Sequence, residues 1–396
     1  MTMAVFGVWM WPRSVREYGA DAVVARCRRL GVTDVYFLTK GMSGTVSCRS
    51  EIAPMDCERD LLGELIEAAH ACGIRVHAWF TSASDAHYKE QHPESGRYHF
   101  VKGRNQGLIS LADAPYIDYM TDFTRELCRR YPIDGLHLDY IRYNHLIYGW
   151  SEEDLRRYAA EGADTAALRA MMERAFPGEE GAEIFFDAYR AGDADVHALA
   201  RARRRDVVRF ASTLTGAARA ERSDLILTAA LMPEGAYDDV AFSDVHYGQN
   251  YEDAAALYDY VLPMAYSKAY DKDGAWVRMV ADGTAERGLR TVVGLHAYEG
   301  GTADTLRADM AALQGAPIEG VCLFREGAFV MAYPDGDNLR CFNPLDVPVR
   351  VTANDVPLMT IDPGRETLLP SAAPSARLRA FTDVGEACIY LPGTPL

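Results

Sequence analysis

The chain has 396 residues, of which 49% are hydrophobic and 25% are charged, and its formal net charge is −16. These values exclude a disordered, collagen-like or disulfide-stapled protein and allow one large domain with a smaller one beside it. The acidic excess argues against nucleic acid and anionic membranes as partners, since both favour a basic face. We interpret the single dense basic cluster, at residues 201–205, as a solvated helix face.

Neither the cysteines nor the first residues indicate export or a membrane anchor. The eight cysteines form no CxxC pair and no metal-like spacing, which favours free thiols in a reducing compartment. Residues 1–12 lack a charged n-region and a long apolar region, and no apolar run approaches the ~18 residues of a membrane span. We therefore expect a cytoplasmic protein, with removal of a signal from a longer precursor as the open alternative.

Eight apolar runs of strand length recur along the chain, with amphipathic helical patterns between most of them. This alternation predicts parallel strands joined by crossovers, and eight such units indicate a (β/α)8 TIM barrel. An open doubly wound sheet is the alternative, but no glycine-rich phosphate loop follows the first run. The predicted strands are Val5–Trp9, Asp34–Leu38, Ile74–Phe80, Gly135–Asp139, Leu225–Met232, Tyr260–Tyr266, Thr291–Tyr298 and Gly320–Phe324.

Two stretches depart from the barrel pattern. Residues 144–223 carry helical spacing, which predicts a helical insertion after strand 4 that forms either a wall of the cleft or a dimer surface. Beyond a turn at Pro334–Asp337, short alternating runs predict a small antiparallel β module. We place the barrel at residues 1–338 and the module at 339–396, with strands at Val347–Val351, Leu358–Ile361, Leu378–Phe381 and Ala387–Leu391.

Strand alternation predicts which side chains face the barrel interior near the catalytic end of the strands. Aromatic faces and carboxylates together suit a sugar, whose C–H faces stack while its hydroxyls form hydrogen bonds. Asp139 stands out, because a carboxylate at a strand end is costly to bury without a task or a partner. The predicted set is Trp9, Trp11, His77, Trp79, His137, Asp139, Glu234, Tyr266, His296, Tyr298 and Glu326.

Two segments around the third and fourth strands resemble the glycosyl-hydrolase-like family 10 group of TIM-barrel proteins, which is distinct from the family-10 xylanases. The specific part is Asp-Gly-Leu-His-Leu-Asp-Tyr-Ile-Arg-Tyr, residues 134–143, supported by Gly73–Phe80. Gly7–Trp9, Gly248–Tyr251 and Tyr258–Tyr266 agree with the same family. The resemblance covers about residues 4–330 and implies a glycoside hydrolase or a carbohydrate-active relative, without naming a substrate.

The fourth strand is also similar in layout to the Asp-Gly-x-Asp-x-Asp-x-Glu strand of family-18 chitinases. In that family the final Glu is the general acid, and the preceding Asp orients the substrate's acetamido group. Here Ile141 stands at the Glu position and His137 replaces the first Asp, so that only Asp139 remains. Three alternatives follow: Asp139 is the acid, another carboxylate is, or catalysis is lost.

The leading hypothesis is hydrolysis of O-glycosidic bonds in an oligosaccharide or polysaccharide, with Asp139 as general acid/base. The second carboxylate is Glu326 or Glu234, or neither if the substrate's own acetamido group attacks. No cofactor is expected, and a homo-oligomer is left open. Substrate contacts are assigned to Trp9, Trp11, His77, Trp79, His137, Arg142, Tyr266, His296 and Tyr298.

Two rival hypotheses belong to other classes. The first is a non-catalytic sugar-binding barrel, which the isoleucine at position 141 favours. The second is a metal-dependent hydrolase, because His-x-Asp on a strand is a plausible ligand pair. Its ligands would come from His77, His137, Asp139, His246 and His296.

Overall fold

A computed structural model describes residues 4–176, 181–369 and 377–392. Eight of its strands form a closed parallel barrel in the order β1-β10-β9-β8-β7-β6-β3-β2, with β2 pairing back to β1. All eight predicted barrel strands are present, so the barrel prediction is confirmed. The strands in the described ranges are β1 (Val5–Met10), β2 (Asp34–Lys40), β3 (Arg75–Thr81), β4 (Gly96–His99), β5 (Gly103–Ile109), β6 (Gly135–Asp139), β7 (Ile226–Leu231), β8 (Tyr260–Ala265), β9 (Val292–His296), β10 (Gly320–Phe324), β11 (Val330–Asp335), β12 (Asn338–Phe342), β13 (Val349–Ala353), β14 (Val356–Ile361), β15 (Glu366–Leu369), β16 (Leu378–Thr382), β17 (Gly385–Ala387) and β18 (Ile389–Tyr390).

The helices lie mainly on the outside of the barrel and in the insertion. Several begin at an aspartate whose side chain accepts a hydrogen bond from the first turn, as at Asp60 and Asp113. The helices in the described ranges are α1 (Pro12–Tyr18), α2 (Ala20–Arg29), α3 (Leu61–Ala71), α4 (Ala86–Gln91), α5 (Ala114–Arg130), α6 (Glu152–Ala160), α7 (Thr165–Ala175), α8 (Glu183–Arg190), α9 (Ala194–Glu221), α10 (Tyr251–Ala254), α11 (Gly274–Glu286) and α12 (Ala303–Ala312). None of these described helices is both long and apolar enough to cross a bilayer.

The helical insertion after the fourth barrel strand is confirmed, and it consists of α6 to α8 with the first half of α9. Its residues pack in a core of their own around Leu168, Phe185 and Leu199. The interpretation of residues 201–205 as a solvated face is wrong for Arg203, which is fully buried. Its guanidinium donates to backbone carbonyls of the loops that follow β6 and β7, including that of Leu146 at 3.0 Å.

A second excursion at the same end of the barrel follows β3. It contains α4 and the antiparallel hairpin of β4 and β5, which the sequence pattern does not predict. Arg97 of this hairpin is buried, and its Nη1 donates to the carbonyl of Arg142 at 3.0 Å and to Asn144 Oδ1 at 2.7 Å. The hairpin therefore braces the loop that follows the fourth barrel strand.

The C-terminal residues form two four-stranded sheets, in the orders β15-β12-β11-β18 and β14-β13-β16-β17. The predicted runs fall in β13, β14 and β16 to β18, and the turn at Pro334–Asp337 joins β11 to β12. The strands β11, β12 and β15 are not predicted. The hairpin of β11 and β12 spans residues 338 and 339, and the domain boundary placed there stays a prediction.

Candidate active site

Asp139 lies at the carboxyl end of β6, a strand that is buried along its whole length. Its Oδ1 accepts hydrogen bonds from the backbone N–H of Tyr140 at 2.6 Å and from Arg142 Nη1 at 3.3 Å. Its Oδ2 accepts a hydrogen bond from Trp79 Nε1 at 3.2 Å. The structure thus brings the predicted residues Asp139, Trp79 and Arg142 together, with donors on both carboxylate oxygens.

Glu234 lies in the 3-10 turn Pro233–Ala236, directly after β7, the neighbour of β6 in the barrel. Tyr270 Oη donates to Glu234 Oε1 at 3.2 Å, while Oε2 is buried without a hydrogen-bond partner in the described chain. Burial raises the pKa of Glu234, and the Tyr270 hydrogen bond and the charge of Arg142 offset part of that rise. Arg142 therefore bonds Asp139 and acts electrostatically on Glu234.

Aromatic rings form a wall beside Asp139. The ring of Phe324, at the end of β10, contacts Trp79 at a centroid distance of 6.3 Å, and Tyr266 and Tyr298 at 5.5 Å each. Burial, and after it the charge of Asp139, raises the pKa of Tyr266 well above its ordinary value. Tyr266 therefore lies close enough to Asp139 for an electrostatic interaction. Tyr266 and Tyr298 both belong to this wall.

His296 and Trp11 occupy two further places at this end of the barrel. His296 stacks on Tyr298 at 3.9 Å and donates from Nε2 to the Glu299 carbonyl at 2.9 Å, and burial lowers its pKa. Trp11 follows β1 and is 38% exposed, with the Arg325 guanidinium 3.4 Å above its ring centroid. Trp11 thus combines a partly exposed ring with a fixed orientation.

Trp9 and His137 lie one layer deeper, and we call this layer the floor of the site. Trp9 Nε1 donates to His137 Nε2 at 3.0 Å, so His137 Nδ1 carries the proton and donates to Thr228 Oγ1 at 2.9 Å. Burial, reinforced by His77, holds the pKa of His137 well below its ordinary value. Both ring nitrogens of this neutral histidine are occupied by protein groups.

His77 belongs to the same floor and is fully buried. Its Nε2 lies 2.8 Å from Asp34 Oδ1, and its ring stacks on Tyr36 at 4.6 Å. The neighbouring strand carries Gly135 at this height, where a Cβ atom would lie 2.2 Å from His77 Nδ1. Trp9, His77 and His137, to which strand parity assigns substrate contacts, are thus placed in the packed interior of the barrel below the mouth.

Glu326 does not join Asp139. Its Oε2 accepts a hydrogen bond from Ser14 Oγ of α1 at 2.5 Å, and its backbone N–H donates to the Trp9 carbonyl at 2.8 Å. Burial raises the pKa of Glu326, and the Ser14 hydrogen bond and the charge of Arg26 of α2 offset part of that rise. The side chain therefore points towards α1 and α2, because β10 ends at Phe324 and its alternation does not extend to position 326.

The five residues of the metal hypothesis are not assembled. His246 lies in the loop that follows β7, stacked on Phe242 at 4.6 Å and next to His145, and burial lowers its pKa to about 2. Within the ranges that the structure describes, no three His, Cys, Asp or Glu side chains come together as a metal site. That the protein uses no cofactor stays a prediction.

Thr228 in the floor, Tyr270 beside Glu234 and Tyr140 beside Asp139 are among the residues of this region that are absent from the predicted set. Tyr140 stands inside the quoted motif, and strand parity points its side chain away from the interior. Tyr270 lies in a loop without periodicity, so no sequence signal connects it with Glu234. Thr228 is predicted to lie inside β7, but only the register between β6 and β7 places it opposite His137.

A closed parallel barrel with two carboxyl groups and aromatic rings at the carboxyl ends of its strands defines the class of TIM-barrel glycoside-hydrolase-like proteins. Residues 46–303 match the model of the family described as Glycosyl hydrolase-like 10. This chain belongs to that family, as the motif around Asp139 indicates. No protein with a curated description matches the sequence.

Solved structures resemble the barrel at low sequence identity. The PgaB (BpsB) glycoside hydrolase domain from Bordetella bronchiseptica is 16% identical with a TM-score of 0.66, over 82% of this chain and 94% of that domain. The catalytic domain of β-amylase from Paenibacillus polymyxa is 10% identical with a TM-score of 0.60, over 82% of this chain and 93% of that chain. α-L-Fucosidase isoenzyme 2 from Paenibacillus thiaminolyticus is 15% identical with a TM-score of 0.58, and the match spans 82% of this chain and 46% of that enzyme. These likenesses establish the fold.

Proposed function

We propose that the protein hydrolyses O-glycosidic bonds of an oligosaccharide or polysaccharide, with Asp139 and Glu234 as the two carboxyl groups. The observation that carries the proposal is the environment of Asp139. This carboxylate lies at the end of a barrel strand and accepts hydrogen bonds from Trp79, Tyr140 and Arg142. Glycosidases act through two carboxyl groups in different environments, and Arg142 links the two environments here.

Their surroundings divide the work between the two groups. Because burial raises the pKa of Glu234, its carboxyl group holds a proton to higher pH than an ordinary glutamate, as a general acid requires. Oε2, which is buried and has no hydrogen-bond partner in the described chain, is the oxygen that would hold the proton. Asp139, surrounded by donors, then acts on the opposite side of the bond as nucleophile or as base for water.

The aromatic wall supplies the sugar-binding surface. Tyr266 and Tyr298 are half-buried and contact each other at 5.9 Å, so each keeps part of its ring available. Trp11 offers the exposed ring farther out. Stacking of sugar C–H faces on these rings, together with hydrogen bonds from Arg142, would hold the substrate beside Asp139.

A non-catalytic sugar-binding barrel is the second candidate. Its support is Ile141, which is 1% exposed and belongs to the main core. The position that carries the acid in family-18 chitinases is therefore filled by a packing residue, and catalysis depends on Glu234 instead.

The test is an assay of a panel of oligosaccharides and polysaccharides, in which turnover is measured as the release of new reducing ends. Asp139→Asn and Glu234→Gln should each lower the rate by about 10²–10⁴-fold, the usual contribution of acid–base groups. Glu299→Gln is the matched control, because Glu299 is exposed and lies just beyond Tyr298. Full activity of Asp139→Asn would refute the assignment, and sugar binding by the wild-type protein without turnover would favour the binding barrel.

A further inference from the structure

The residue after Asp139 has an uncommon backbone conformation. In the described chain, the non-glycine residues with positive φ are Tyr140 at 55°, Asp271, Asn354 and Asp355. Aspartate and asparagine enter the left-handed region readily, because their short side chains form local hydrogen bonds there. A bulky tyrosine does so only when its surroundings hold it, and such outliers cluster at functional sites.

This backbone conformation serves the Asp139 carboxylate directly. It turns the N–H of Tyr140 back to Oδ1 of the preceding side chain, at a distance of 2.6 Å. Glycine would adopt the same conformation without strain and would keep the same N–H donor. The N–H bond therefore does not explain why the position carries a large aromatic side chain.

The ring of Tyr140 has a second task. The Arg142 guanidinium lies over it, with its central carbon 4.9 Å from the ring centroid. The same guanidinium reaches Asp139 Oδ1 at 3.3 Å. Cations are attracted to the faces of aromatic rings, and a planar guanidinium stacks there particularly well. Without the ring, Arg142 would lose the surface that holds its guanidinium beside Oδ1.

We propose that Tyr140 is a positioning residue that selects the reactive oxygen of Asp139. Its N–H and the guanidinium that it supports both occupy Oδ1, whereas Oδ2 receives only the Trp79 indole among the bonds of the described chain. Oδ2 thus keeps a free lone pair and is the oxygen that acts on the substrate. This role depends on the proposed glycosidase function, but the underlying hold on Arg142 does not.

Four variants test the proposal: Tyr140→Phe, Tyr140→Gly, Arg142→Gln and the double variant Tyr140→Gly/Arg142→Gln. Tyr140→Gly keeps the backbone donor and removes only the ring, and we expect it to lower kcat by about 10–100-fold. Tyr140→Phe should retain wild-type kcat, because phenylalanine keeps the ring. In the Arg142→Gln background, Tyr140→Gly should have less than about a twofold further effect, since both changes remove the same interaction.

A spectroscopic readout separates this role from catalysis. The Nη1–H signal of Arg142, the group that donates to Asp139 Oδ1, should be slow to exchange in a nitrogen-15 NMR spectrum of the wild-type protein and of Tyr140→Phe, and should be lost in Tyr140→Gly. Asn354→Gly is the matched control, since it relaxes a left-handed residue at φ 50° in the C-terminal sheets and should change neither kcat nor this signal.

The outcomes are distinguishable. If the Arg142 signal persists in Tyr140→Gly, or if the two changes are additive in kcat, Tyr140 does not act through Arg142 and the proposal is wrong. If no glycan is cleaved but the signal depends on the ring, the hydrolase proposal fails while the hold of Tyr140 on Arg142 is supported.

Discussion

We call the carboxyl end of the barrel, where Asp139 lies, the mouth. The floor and the mouth are built from similar residue types, but they differ in how many of their polar side-chain atoms are bonded to protein groups. His137 and Asp139 are two residues apart on one face of β6. Both nitrogens of His137 are bonded to protein groups, and the residue is fully buried. Asp139 Oδ2 has one protein donor, and its surroundings include partly exposed rings. The two positions therefore differ in role: His137 packs the interior of the barrel, and Asp139, two residues farther along β6, is a candidate catalytic residue.

The largest effect on stability that we predict contrasts the two tryptophans at positions 9 and 11. Trp9→Phe removes the donor to His137 and leaves a cavity in the floor, so the free energy of unfolding should fall by about 2–4 kcal/mol. Trp11→Phe, at a partly exposed position, should change it by no more than about 0.5 kcal/mol. Denaturant unfolding of both variants measures the difference, and equal losses would break the distinction between floor and mouth.

A glycine contrast tests how tightly the floor is packed. Gly135→Ala would place a Cβ atom 2.2 Å from His77 Nδ1 and 2.5 Å from the Ile226 carbonyl, and it should destabilise the fold by about 1–3 kcal/mol. A Cβ atom added at Gly216 of α9 would meet no atom within 4 Å, so Gly216→Ala should stabilise the helix by up to about 1 kcal/mol. Thermal unfolding of the pair checks the opposite signs, and an unaffected Gly135→Ala would show a loosely packed floor.

The carboxyl group of Asp309 should make the stability of the fold depend on pH. Burial raises the pKa of Asp309 to about 6, although Ser267 Oγ donates to it at 2.6 Å. The native state therefore binds this proton more tightly than the unfolded chain, and its stability should fall as pH rises from about 4 to about 6. Asp309→Asn should raise the free energy of unfolding by about 1–2 kcal/mol at pH 8 and leave it unchanged near pH 3. A gain of the same size at both pH values would contradict this assignment.

The smallest predicted effect concerns Glu234. Burial raises the pKa of Glu234, and the Tyr270 hydrogen bond offsets part of that rise. Tyr270→Phe should therefore raise the pKa of Glu234 further. If Glu234 is the general acid, activity falls as its proton leaves, and the alkaline limb of kcat should move to higher pH by a fraction of a pH unit. Tyr131→Phe, which removes a hydroxyl that donates to Asp60 Oδ2 at 2.8 Å, is the control. A limb that moves to lower pH would remove Glu234 from the acid role.

The sequence predicts the barrel and the place of Asp139 because both depend on local patterns. Apolar runs mark all eight strands, and the period of two places Asp139 inside at a strand end. Strand alternation does not predict how deep in the barrel a side chain lies. The height of His77, opposite Gly135, depends on the register between β3 and β6. Strand alternation also fails beyond a strand end, as it does for Glu326. The hairpin of β4 and β5 is missed because its first strand, Gly-Arg-Tyr-His, lacks an apolar run.

The long helix α9 has a consequence for how the molecule unfolds. Its 28 residues span about 42 Å, with Val196 and Leu199 in the insertion core, and Phe210 and Leu214 in the barrel core. Neither core can lose this helix without exposing apolar surface of the other. Hydrogen exchange along α9 should therefore report one cooperative unit shared by the insertion and the barrel, and excision of the insertion would have to cut through a wall of the barrel itself.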